Sequence, residues 1–266
     1  MINRKVGFIG AGNMGLSIIL GMVNSGCISK HNILVYDIKF SEKLPDEVVR
    51  VHDIGELVRE SDIVVFAVKP NMFATVLGEV KGSFDYLNKS YISIAAGITT
   101  DYIKEVLGDV NVTRVMPNLA LQVGEGMTVV SPYDGISDED LNDVKEIFNS
   151  CGKISILNES YIDKAIAING SGPAYVFMFI EALADAGVKN GLTRDDAYLM
   201  AAQTVLGSAK MVLDTGINPA TLKDMVCSPA GTTIEAVIEL ENKGFRSAVI
   251  NAVEKCTEKA YKMSGK

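Results

Sequence analysis

Apolar and polar positions change rhythm once along this chain. Through the first 157 residues, short runs rich in Val and Ile alternate with segments of helical period: VGFIG (6–10), ILVYD (33–37), DIVVFAV (62–68), YISIAA (91–96), TRVMP (113–117), MTVVS (127–131) and KISIL (153–157). Several runs are apolar without alternation, as strands covered on both faces of a parallel sheet are. Between them MGLSIILGMVNSG, TTDYIKEVLG and SDEDLNDVKEIFNSCG read as helices, the last opening at a Ser137 cap with Asp140 three residues on and closing at Gly152. Repeated strand–helix–strand units predict a doubly wound, mainly parallel sheet.

After Leu157 no further strand is expected, and Ala, Leu and Met at helical spacing run to the end of the chain. This places a boundary near Asn158, with a dinucleotide-binding domain over 1–158 and an all-α domain over 159–266. GSGP (170–173), KNGLTRDD (189–196), TGINPA (215–220), CSPAGTT (227–233) and NKGF (242–245) punctuate the helices. Ser171, Gly172 and Pro173 read as a helix start. The longest apolar stretch, PAYVFMFIEALA (173–184), carries Glu181 and is shorter than the roughly 18 residues of a bilayer span. It predicts a helix buried on most sides, with Phe177, Met178 and Phe179 in a core or an interface. A helical domain this apolar calls for a second subunit, so a homo-oligomer is expected.

Composition narrows the classes. An apolar share of 48% with 22% charged residues is that of a globular protein. Lys and Arg number 25 against 33 Asp and Glu, a net charge of −8 that argues against a nucleic-acid partner. Met1 leads through a short polar stub into the first strand without an export pattern, so a cytoplasmic protein with no membrane partner is expected. Four scattered cysteines, Cys27, Cys151, Cys227 and Cys256, with only His31 and His52 beside them, offer no metal-ligand spacing.

The candidate chemistry begins at GFIGAGNMG. Gly10, Gly12 and Gly15 stand as G-x-G-x-x-G between a strand and a helix, so Gly10, Ala11, Gly12, Asn13, Met14 and Gly15 are expected to hold a dinucleotide pyrophosphate at a helix N-terminus. Asp37 closes the second strand, 22 positions beyond Gly15. A carboxylate there accepts the ribose hydroxyls of NAD and repels the 2′-phosphate of NADP, which leans the reading toward NADH, softened by Lys39.

The ordered segments GFIGAGNMG (7–15), AVKPN (67–71), AAGIT (95–99), RVMPN (114–118), VGEGMT (123–128), NGSGPAYVFMFIEALADAGVKNGL (169–192), QTVLGSAKM (203–211) and CSPAGTTIEAVIELENKGFRSAVINAV (227–253) resemble the pyrroline-5-carboxylate reductase family over nearly the whole chain. The resemblance implies an oxidoreductase of proline biosynthesis, which reduces a small anionic cyclic imine to L-proline with NADPH, usual in the family, or NADH. It implies an N-terminal Rossmann domain and an all-α C-terminal dimerisation domain, at least a homodimer and often a ring of dimers.

It also implies roles. Ser228, Gly231, Thr232 and Thr233 would bind the substrate carboxylate, with the Thr233 hydroxyl near the ring nitrogen as the catalytic orienter or proton relay. Apart from the family, Thr232 with Glu235 also fits a plain capping box. Ala67, Val68, Lys69 and Pro70, after the third strand, would pass under the cofactor, and Asn118 would face the nicotinamide ribose or carboxamide or else cap a turn.

Departures are Leu119 and Ala120 after MPN, Ala230 within SPAGTT, Asn169 before GSGPAY, and Asn218-Pro219 where His-Pro is common. Ala230 adds a methyl where backbone of positive φ is expected. Two other readings fit parts of the pattern. A β-hydroxyacid dehydrogenase has similar architecture but needs a lysine where this chain has Val176, and a non-catalytic nucleotide sensor could keep the same fold.

Overall fold

Eight strands make one sheet: β1 (Val6–Ile9), β2 (Ile33–Tyr36), β3 (Val49–Val51), β4 (Ile63–Phe66), β5 (Ser90–Ser93), β6 (Asn111–Met116), β7 (Gly126–Ser131) and β8 (Gly152–Ile156). Their order is β3-β2-β1-β4-β5-β6-β7-β8, parallel throughout except where β6 meets β7. The helices are α1 (Asn13–Ser25), α2 (Ile54–Glu60), α3 (Phe73–Lys81), α4 (Thr100–Leu107), α5 (Asp138–Asn149), α6 (Ile162–Ala165), α7 (Gly172–Lys189), α8 (Arg194–Thr215), α9 (Pro219–Val226), α10 (Thr232–Asn242) and α11 (Phe245–Met263). This computed structural model describes residues 1–264, in two units. One comprises Met1–Ser171 with the stretch from Cys256; the other is Gly172–Lys255.

In the first unit the strands' period of two sorts side chains to opposite faces. Val6, Phe8, Ile33, Val35, Ile63 and Val65 pack with Ile18 and Met22 of α1 and Ile147 of α5. Ile9, Leu34, Val64 and Phe66 pack on the other face with α2, α3 and α4. Gly7 lets α2 lie directly on β1, since a Cβ there would come 2.3 Å from Ser61 Oγ and 2.6 Å from a Leu57 methyl. The strand order reverses between β1 and β4, so their carboxyl ends border a crevice where ligands bind in such sheets.

Polar groups lock the periphery. Ser137 caps α5 by accepting the Asp140 N–H at 3.0 Å. The Asp140 carboxylate accepts from Arg4 at 2.5 Å, Ser90 at 2.8 Å and Tyr133 at 2.9 Å. Burial alone would push this carboxyl up, but hydrogen bonds from Arg4, Ser90, Tyr133 and Ser137 outweigh it and hold it down at about 2. Arg114 of β6 is fully buried and donates to Glu159 at 3.1 Å and Asp163 at 3.3 Å, tying the sheet to the start of the helical segment.

The second unit is helical, with a small core of Ala184, Ala197 and Ala201, flanked by Ile180 and Val188, where α7 meets α8. Here the structure corrects an expectation: α7 is not buried on most sides. Ala184 is its one buried residue, while Phe177 is 58% and Met178 69% exposed. The helical run Glu159–Lys189 is also long and apolar enough by length and composition to cross a membrane, which the 12-residue stretch read from sequence was not. Helical period marks a face for burial without saying what covers it.

Two smaller corrections concern the sheet. Val49–Val51 forms an additional edge strand, too short for a pattern to reveal, so the strand before AVKP is the fourth along the chain rather than the third. Helix α5 ends at Asn149, and Gly152 instead opens β8 at φ +145°, where a Cβ would lie 2.1 Å from the Gly126 carbonyl oxygen.

Candidate functional site

Each glycine of the first loop meets a different steric demand. Gly10 sits at φ +100°, and a Cβ on it would approach the Ala67 carbonyl oxygen to 2.7 Å. A Cβ on Gly15 would come 2.5 Å from the Gly10 carbonyl oxygen, so this glycine seats α1 against the loop. At Gly12 a Cβ would meet nothing within 4 Å, and Gly12 is the N-cap of α1 with no side chain bonded to the free N–H groups. An uncapped N-terminus facing open space is where a pyrophosphate fits.

The loop borders a cleft of about 430 Å³ that brings Gly10, Gly12, Asp37, Ala67, Val68 and Lys69 together. Asp37 follows β2 directly. Its carboxylate accepts the Ala11 N–H at 2.6 Å and the Lys39 N–H at 3.1 Å. The cleft is also lined by residues that sequence reasoning missed: Tyr36 and Ile38 around Asp37, Ile54 of α2, and Asn71, Met72, Thr75, Val76 and Glu79 at α3. Ile38, beside the acidic residue, is an apolar side chain 91% exposed, and neither it nor the others carried a signal in the sequence. Ala11 in the loop and Gly15 in α1 are buried, Asn13 and Met14 start α1, and Pro70 begins a 3-10 turn beyond Lys69; none of these lines the cleft.

Asn118 also stands outside that lining. Its Nδ2 donates to the Asn169 carbonyl at 3.0 Å, and its Oδ1 accepts the Met127 N–H at 3.2 Å. Asn169 in turn donates from Nδ2 to the carbonyls of Met116 at 2.8 Å and Met127 at 3.3 Å. The two amides clasp the end of β6, the start of β7 and the π-helical turn Ile166–Gly170. The departure at Asn169 thus serves that clasp.

In the second unit, Gly231 is the N-cap of α10, again with no side-chain cap, so the box of Thr232 with Glu235 does not form. A Cβ on Gly231 would lie 2.4 Å from Ser228 Oγ, which folds the serine over the helix start. Thr232 is exposed and Thr233 half-buried in the first turn. Ala230 adopts φ +57°, so the methyl does occupy a left-handed position. By contrast α2, α4, α5, α8 and α9 are capped by Asp53, Thr99, Ser137, Thr193 and Asn218. The helices after the two glycine turns have no side-chain cap, as α3 and α6 also have none, whereas in each of these five the cap side chain accepts one of the first N–H groups. Among the described residues no group of three His, Cys, Asp or Glu side chains could hold a metal ion.

Known proteins share this layout. Residues 159–263 match the family described as pyrroline-5-carboxylate reductase dimerisation, and residues 5–97 match that described as NADP oxidoreductase, coenzyme F420-dependent. The pyrroline-5-carboxylate reductase of Escherichia coli K12 is 47% identical, covering 99% of both chains. That of Methanosarcina acetivorans is 42% identical over 100% of both. The solved Plasmodium falciparum pyrroline carboxylate reductase with NADP bound superposes at a TM-score of 0.89, with 38% identity over 99% of each chain. The Coxiella burnetii pyrroline-5-carboxylate reductase gives 0.91, with 33% identity and the same coverage. With identity of this order along its full length and both glycine-capped helix starts in place, the chain belongs to the pyrroline-5-carboxylate reductase family.

Proposed function

We propose that this protein reduces Δ1-pyrroline-5-carboxylate to L-proline at the expense of NADPH or NADH. The observation that carries the reading is the pair of open, glycine-capped helix N-termini at Gly12 and Gly231. The first suits a dinucleotide pyrophosphate and the second the carboxylate of a small acid. When bound, the reduced nicotinamide supplies the hydride that saturates the imine carbon.

The chain's own task is mainly positioning. A protonated imine carbon is already electrophilic, so no strong catalytic acid is needed, in keeping with a chain that has two histidines and uses neither here. Ser228, Gly231 and Thr232 hold the carboxylate, and the Thr233 hydroxyl orients the ring nitrogen and holds its proton. Ala67, Val68 and Lys69 form the floor under the cofactor, with Pro70 turning the chain beyond them, while Asn118 steadies the nicotinamide end through its clasp with Asn169. The outward apolar faces of α7 and α8 support a homodimer at least, extended to a ring of dimers. A cytoplasmic location and the functional boundary at 158/159 belong to the same reading.

The test is oxidation of NADPH or NADH in the presence of pyrroline-5-carboxylate. Turnover is expected; intact cofactor binding without turnover favours the sensor and overturns the enzyme. Thr233→Ala should lower kcat/KM for the imine by roughly tenfold or more, about 1.4 kcal/mol, with cofactor affinity nearly unchanged. Equal loss of both would remove Thr233 from its assigned role.

A further inference from the structure

The geometry points to Asp37 as a selector that makes this protein prefer NADH over NADPH, an inference that rests on the cleft at Gly12 being the dinucleotide site. Asp37 is held from two sides. Its Oδ2 accepts the Ala11 N–H inside the glycine loop at 2.6 Å, and its Oδ1 accepts the Lys39 N–H at 3.1 Å. The carboxylate therefore cannot swing away from the cleft without stranding a loop donor. Each oxygen keeps a further lone pair, and so can accept from a ribose hydroxyl. A 2′-phosphate brings one and a half to two negative charges and few protons to donate, and it meets a fixed negative charge at that place.

Among the described residues that line the cleft, no cation stands beside it. The charged residues lining the cleft are Asp37, Glu79 and Lys69, two carboxylates against one ammonium. Lys69 follows β4, whereas Asp37 follows β2, and β1 lies between those strands. At about 4.8 Å per strand their backbones are roughly 10 Å apart. The arginine nearest in the sheet is Arg50, paired in register with Val35 on the neighbouring strand. Its guanidinium donates to the Leu44 carbonyl at 3.1 Å and lies 3.6 Å from Asp46, so it is engaged at its own edge of the sheet. Lys39 offers its backbone N–H to the carboxylate, and its side chain stands on an exposed turn. Selection by charge here thus runs opposite to the NADP seen bound to the Plasmodium falciparum relative.

Calorimetric titration of the whole protein with NADH and NADPH, without imine, tests this directly. NADH is expected to bind roughly tenfold tighter or more. Competition by AMP and by 2′,5′-ADP should show the same order, with the added 2′-phosphate weakening binding. Asp37→Asn keeps an acceptor for the Ala11 N–H and removes the charge, so it should narrow the NADH-to-NADPH ratio chiefly by tightening NADPH. NADPH binding as tightly as NADH to the unaltered protein, or 2′,5′-ADP competing better than AMP, overturns the proposal. An unchanged ratio in a folded Asp37→Asn protein does so too. Failure of both nucleotides to bind would instead remove the dinucleotide-site reading, and NADH-selective binding without imine turnover would remove only the reaction.

Discussion

The two units answer the hydrophobic effect in opposite ways. In the sheet unit Phe8, Val65 and Phe66 have no exposed surface, because helices of the same chain close over both faces. In the helical unit Phe177, Met178, Leu199 and Leu213 are equally apolar, yet each is more than half exposed. Two antiparallel helices can bury only a stripe of each against the other, and α7 and α8 fill that stripe with alanines. Their larger side chains remain for another surface. A unit that finishes its own core folds as a monomer would; one that turns its large residues outward couples its stability to association.

That contrast can be broken at either end. Phe66 stacks on Tyr91 with ring centroids 5.3 Å apart and tilts against Phe73 at 5.5 Å. Phe66→Ala should destabilise the sheet unit by about 3–5 kcal/mol, and chemical denaturation should give the same value at every protein concentration. Phe177→Asp should act on association instead. We expect the dissociation constant of the proposed homodimer to rise at least tenfold, about 1.4 kcal/mol or more, read by sedimentation as a shift toward monomer, with the melting of the sheet unit unmoved.

Two smaller effects sharpen the comparison. Asp140 serves the sheet unit alone, with its folded-state carboxyl held at about 2. Because that value lies below the ordinary carboxylate value near 4, the contribution is complete above about pH 4 and is lost as pH falls toward 2. Asp140→Asn should cost about 2 kcal/mol at neutral pH, and denaturation curves should show the difference from the unaltered protein closing below about pH 3. Smallest is the left-handed Ala230 in the exposed loop before α10. Ala230→Gly relieves the left-handed strain but adds freedom to the unfolded chain, so a net stabilisation of no more than about 1 kcal/mol is expected in thermal melts.

Much of the sheet unit was legible beforehand because both of its signals are local. Seven of its eight strands announced themselves as apolar runs, and the cap Ser137 precedes its helix as expected. The edge strand at Val49–Val51 escaped because three residues carry no period. The glycine loop and Asp37 were readable by spacing, and both border the cleft. The wall formed by Thr75, Val76 and Glu79 was not, since those residues are ordinary for a helix and acquire meaning only where α3 passes the carboxyl ends of β1 and β4.

Local spacing therefore carried the fold class and the two glycine turns, since each depends on a few neighbouring residues and their allowed dihedrals, and the departure from the family pattern marked Ala230. Tertiary contacts decided the rest. They gave Asn118 its clasp with Asn169, turned Asp37 into a fixed acceptor for the Ala11 N–H, and left the large side chains of α7 uncovered. The reason is the same in each case: a hydrogen bond or a buried face needs a partner from a distant part of the chain, and no residue's own neighbourhood names that partner.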